Sequence, residues 1–259
     1  MLTYLLLTNS KGTIMNKFLF SLLILCALSH AQSKTTLTIS SGFLPPESDL
    51  VGTIIHEISK RSNITIDYQV LPNKRSLIQA NNGYVDGEGA RILEINKYYP
   101  NLLPVPVQIH SINLIALTNR QLTLTKPSDL SNYNVGVIRG MKIAVLMSEK
   151  NTPVSLFKAP DHTTLINMLS ANRLDVIITN KMGLFTSLDK IKKHKLFMAK
   201  EPLLSRSLYM QLHKKNKKYI PIFEKAIESM HKDGTYQKIH DDFYHPYHKK
   251  LKSSIQMLK

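Results

Sequence analysis

Tryptophan is absent from the 259 residues, cysteine occurs once, and acidic side chains are scarce, with 18 Asp and Glu against 34 Lys and Arg. Each shortage excludes something. The single thiol, Cys26, lies inside an apolar N-terminal run, so the chain beyond it has no disulfide, no Cys-ligated zinc and no thiol nucleophile. No stretch reaches the roughly 20 apolar residues that a membrane-spanning helix requires. The shortage of acids leaves a formal charge of +16, which raises nucleic acid and anionic lipid as partners. The basic runs around Lys190–Lys195, Lys214–Lys218 and Lys249–Lys252 are nearly all lysine, with little Arg for bidentate contacts and few interleaved aromatics for stacking. They read as a solvated surface with a secondary attraction to anionic membranes, and no nucleic-acid partner is expected.

What is present begins with an export plan. Lys17 precedes an unbroken apolar run from Phe18 to Leu28, followed by Ser29-His30-Ala31, which ends in a small residue. Residues 1–31 therefore read as a cleaved signal peptide, with Met15 as a possible true start, and Leu25 before Cys26 argues against a lipid anchor. The expected destination is the periplasm, with a soluble mature chain.

Two stretches beyond it are versions of one pattern. Leu77 to Asp86 and Leu165 to Asp175 each carry an apolar helical stripe that stops at Asn or Gly, then enter a short apolar strand through an Asp. This is either chance likeness between two helix-to-strand turns or a chain built twice. Around them, strands are expected at 35–41, 64–70, 84–90, 134–138, 154–158 and 176–179. Helices follow, one capped by Ser48 or Asp49, one opened by Pro72, one begun at Gly140 and one capped by Asp161. Strand and helix alternate, so each half is expected to be an α/β unit with a mostly parallel sheet. Leu102 to Ile109, with Pro104 and Pro106, suits an edge or connecting segment. Ile112–Leu117 and Ser207–Leu212 read as crossings between the halves, and Tyr244 to Lys259 reads as a polar, frayed end.

The order Gly83-Tyr84-Val85-Asp86-Gly87, Lys126-Pro127-Ser128-Asp129-Leu130 with Val135-Gly136-Val137-Ile138-Arg139-Gly140, Asn172-Arg173-Leu174-Asp175, and Lys232-Asp233-Gly234-Thr235-Tyr236 resembles the periplasmic solute-binding proteins of family 3. The resemblance implies an α/β fold of two similar lobes joined by two crossing strands. It places 32–117 with 206–248 in the first lobe, 118–205 in the second, and 249–259 in a basic tail. It also implies a small-molecule ligand held between lobes of a monomer, a membrane permease or signalling receptor as partner, and neither cofactor nor metal.

In such folds ligands bind beyond the C-terminal ends of strands, which here include Phe43, Arg75, Glu88, Arg91, Arg139, Met141 and Asn180. Arg91 stands where the family often grips a ligand carboxylate; its plainer reading is a surface arginine. Arg139 reads equally as a ligand contact or an inter-lobe salt bridge, Met141 replaces the family's Thr or Ser, and Arg75 reads equally as a cleft residue or a solvated one. Asn180 occupies the place of the Asp that pairs with a ligand ammonium, which tilts the expectation towards an anion. Glu88 is the acid that a dehydratase on this fold would need, the alternative to a non-enzymatic binder. His240, His245 and His248 are spaced unlike a zinc set and read as surface groups.

Overall fold

The computed structural model describes residues 35–191 and 195–258; the expected signal peptide lies outside the described residues. The first half of the chain lays down β1 (Thr36–Ser41), α1 (Glu47–Ser62), β2 (Thr65–Val70), α2 (Asn73–Asn81) and β3 (Gly87–Arg91). Leu50, Val51, Ile54, Ile55 and Ile58 recur at helical spacing along α1 and are buried. The second half repeats the plan with β5 (Asn134–Ile138), α3 (Lys142–Lys150), β6 (Ser155–Ala159), α4 (His162–Ser170), β7 (Val176–Asn180) and α5 (Lys181–Ile191). Parallel pairing of β1 with β2 and β3 is matched by parallel pairing of β5 with β6 and β7.

Two long strands join these halves. β4 (Leu102–Thr118) and β9 (Leu204–His213) run antiparallel, giving the order β2-β1-β3-β9-β4-β7-β5-β6. The expected crossing at 112–117 is the far end of β4. Among the described residues its first part, 102–113, pairs only with β9, so Pro104 and Pro106 sit on an edge where a missing N–H costs no ladder bond, and the register shifts beside Pro104.

The doubled stretch is a structural repeat. After α2, Gly83 turns left-handed (φ 78) and Tyr84 N–H returns to Gln79 C=O at 3.0 Å; after α4, Asn172 does so (φ 57) and Arg173 N–H reaches Met168 C=O at 2.9 Å. Asp86 then donates its N–H to Thr38 C=O and accepts from Thr38 N–H, while Asp175 exchanges the same pair of bonds with Asn134.

Several local expectations are corrected. Pro46, not Ser48 or Asp49, precedes α1, and no side chain caps it. The helix expected from Gly140, α3, starts at Lys142 with Met141 before it. Asp161 does cap α4, accepting from Thr164 N–H at 2.8 Å. The expected frayed end is instead ordered. α6 (Ile220–Lys232) is followed by α7 (Thr235–Ser254), which packs Tyr236 and Ile239 on the first core and Tyr247 and Leu251 on the second. β10 (Ile255–Met257) then pairs in parallel with β8 (Leu196–Met198), which itself borders the end of β4. Ile255 and Leu258, 8% and 4% exposed, explain why: burying two apolar side chains holds the segment against the second core.

Candidate functional site

The C-terminal end of β3 is a sealed polar knot. Glu88 is 0% exposed; its Oε1 lies 2.8 Å from Arg91 Nη2 and accepts from Gly42 N–H at 3.2 Å, and its Oε2 accepts from Ser40 Oγ at 3.3 Å and from Ser76 Oγ. Burial pushes the Glu88 carboxyl above its ordinary value, against the pull of Arg91 and these donors. Arg91 is 9% exposed and also reaches Asn73 C=O at 3.4 Å, while its Nε is buried without a partner. A side-chain carbon at residue 42 would collide with the Arg91 guanidinium, which is why β1 leads into a glycine.

This knot changes the standing of two expected residues. Glu88 does not reach solvent, and its bonds are to Arg91, Gly42, Ser40 and Ser76 of the first lobe. Arg91 meets Glu88 before it meets any ligand, so much of its charge is already neutralised within the lobe.

The remaining expected residues are dispersed. Arg75 and Arg139 are exposed and form no ion pair among the described residues. Asn180 Oδ1 accepts from Gly183 N–H at 2.9 Å, a helix-capping bond that opens α5. Met141 leads into α3 and packs partly buried against the second half's core. Phe43 stands edge-on to His110 with ring centres 6.0 Å apart.

The crossing ribbon has two faces, and each carries a groove. Side chains alternate along a strand, so Leu204 and Arg206 of β9 lie on one face, while Ser111 and Asn113 of β4, paired with Ser207 and Ser205, lie on the other. The first face holds a groove of about 560 Å³, lined by Ile92 from the first half, by Ile143, Leu146 and Met147 of α3, and by Leu204, with Glu94, Lys150 and Arg206 among its polar residues. The second face holds a groove of about 250 Å³, lined by Gln108, His110, Ser111 and Asn113 of β4, by Lys181 of α5, and by His240, Tyr244 and His248 of α7.

Sequence reasoning missed the residues of this second groove. His110, 1% exposed, contacts Glu47 Oε1 through Nε2 at 3.0 Å, and its Nδ1 is buried without a partner. His240, expected at the surface, stacks on His110 with ring centres 5.6 Å apart. Its pKa falls to about 4, chiefly through burial, with His110 and Lys181 adding to the effect. Lys181 offered a signal: a lysine opening a helix opposes the helix dipole. Among the described residues no group of His, Cys, Asp and Glu could hold a metal ion, and no helix is long and apolar enough to cross a membrane.

No family model matches the chain, and no curated protein matches it. Solved structures do. A probable amino-acid ABC transporter extracellular-binding protein, ytmK from Bacillus subtilis, superposes with a TM-score of 0.66 over 82% of this chain and 98% of its own, at 16% identity. The chain has the fold of the solute-binding proteins. The ligand-binding core of GluR0 in complex with L-glutamate shares it at a TM-score of 0.64 and 12% identity, over 82% of this chain and 99% of that one. So does the unliganded, open L-cystine solute receptor of Neisseria gonorrhoeae, at 0.63 and 12%, over 84% and 95%. The expected fold class, two α/β lobes joined by crossing strands, is therefore the observed one.

Proposed function

We propose that the chain is an exported solute-binding protein whose two lobes close about a small polar or anionic solute, and that the closed form is read by a membrane permease or a signalling receptor. The observation that carries this reading is the ribbon of β4 and β9, which is shared by both lobes and backs a ligand-sized groove, lined from both lobes, on each of its faces. Bending of two strands is a hinge that lets the groove on one face narrow, and the other open, without unpacking either core. The neighbours are consistent with both partners: ytmK is named for an ABC transporter, and the Neisseria gonorrhoeae neighbour is named a solute receptor. The reading involves no catalysis, no cofactor and a monomer outside the cytoplasm.

Thermal unfolding of the full chain against amino acids, carboxylates, phosphates and sugars tests it. A solute at 100 times its Kd adds about 2.7 kcal/mol, a shift of several degrees at this size, and closure lowers the radius of gyration in solution scattering. A panel without any stabilising solute overturns the proposal.

A further inference from the structure

We propose that Lys181 seats the anionic group of the solute in the polar groove on the α7 side of the ribbon, so that the ligand class is a small carboxylate or phosphate. The inference rests on the solute-binding reading and names the chemistry that this groove selects. Lys181 is half-buried and forms no ion pair among the described residues. Its Nζ lies instead 4.5 Å from the ring centre of Tyr244 and 5.7 Å from that of Phe185, rings that keep water from one side of the ammonium. Burial lowers its pKa, with Asp241 opposing. It is also the first residue of α5, where the helix dipole disfavours a cation and attracts an anion. One charge is thus placed against two unfavourable terms, and an incoming anion relieves both.

The groove around it is a built site. His110 lines it with Nε2 committed to Glu47 and Nδ1 buried without a partner, and His240 beside it has a buried Nε2 without a partner. Two acids stand by the groove: Glu47 contacts His110, and Asp241, which lines it, accepts from Gln237 at 2.8 Å and leaves its charge facing Lys181 without a close ion pair. At about 250 Å³ the groove is small, a size that suits a small solute.

Isothermal titration of the full chain with succinate, inorganic phosphate, glucose and putrescine tests this, repeated on Lys181→Gln, Lys181→Arg and, as a control on another helix start, Lys142→Gln. The expected result is binding of an anion that weakens at least tenfold in Lys181→Gln, recovers largely in Lys181→Arg and is unchanged in Lys142→Gln. The imidazole resonances of His110 and His240 move on the same titration. Anion binding that ignores Lys181→Gln and leaves those resonances still overturns the inference. Binding of glucose or putrescine with no response to either anion also overturns it while solute binding stands; no response to any solute, here or in the wider panel, removes both.

Discussion

In the first lobe, Asp86 takes the Thr38 amide at 2.8 Å and is then held by Asn216 at 2.9 Å and Lys215 at 3.0 Å, residues that follow β9. In the second, Asp175 takes the Asn134 amide at 2.8 Å, the Asn134 side chain at 2.9 Å, and Arg120. The turn is repeated, and in each lobe it is fastened from the exit of a crossing strand, by Asn216 and Lys215 after β9 and by Arg120 after β4; the second alone adds a side chain of the strand it meets, Asn134. The strands that follow differ as well. β3 buries an ion pair, whereas β7 buries Val176, Ile177, Ile178 and Thr179. Both lobes have apolar cores; the first adds a buried ion pair whose two partners must both be present, and the second adds apolar packing completed by β10.

The largest test of that contrast is Arg91→Met. Stranding the buried Glu88 carboxylate costs about 3–5 kcal/mol, read by urea unfolding at pH 7; a loss under about 1 kcal/mol would mean that the first lobe does not depend on its ion pair. Deleting residues 255–259 comes next, at about 3 kcal/mol from two buried side chains. Hydrogen exchange should then quicken in β8 and its neighbours while β1 and β2 stay protected, and uniform quickening would erase the distinction between lobes.

Asp86→Ala and Asp175→Ala should each cost about 1–3 kcal/mol, since each leaves a backbone N–H without its acceptor. Burial pushes both carboxyls up, but the amides together with Lys215 or Arg120 outweigh it and hold both below the ordinary Asp value. A lowered folded pKa contributes stability that is present above about pH 4 and lost as the pH falls below it. Either variant should flatten that acid limb, and an unchanged limb would deny the pairing. The smallest effects come from the left-handed residues. Gly83→Ala should cost about 1–2 kcal/mol, whereas Asn172→Gly should be within a few tenths of neutral. Equal responses would mean that the two turns are not equivalent.

The repeat was legible in the sequence because Gly83 and Asn172 are residues that the closing turn selects, and because the Asp after each is spaced to reach the first strand. The edge prolines of β4 were legible for the same local reason. The Glu88–Arg91 pair was not. Residues three apart on a regular strand face opposite ways, and only the register shift between Glu88 and Arg91 brings them together. Lys181, His110 and His240 come from three separate elements, so no local pattern announces their groove. β10 looked like a solvated tail because its register is dictated by β8, not by its own residues.

The path of α7 and β10 bears on how the molecule assembles. The first lobe waits for β9 and α6, which are synthesised after the second lobe, and the second lobe waits for β10, which is synthesised after the helices of the first. Neither lobe is a contiguous piece of chain, and their requirements are interlocked. Such high contact order slows folding and couples the lobes into one cooperative unit, so that a fragment ending before β9 would have neither lobe complete.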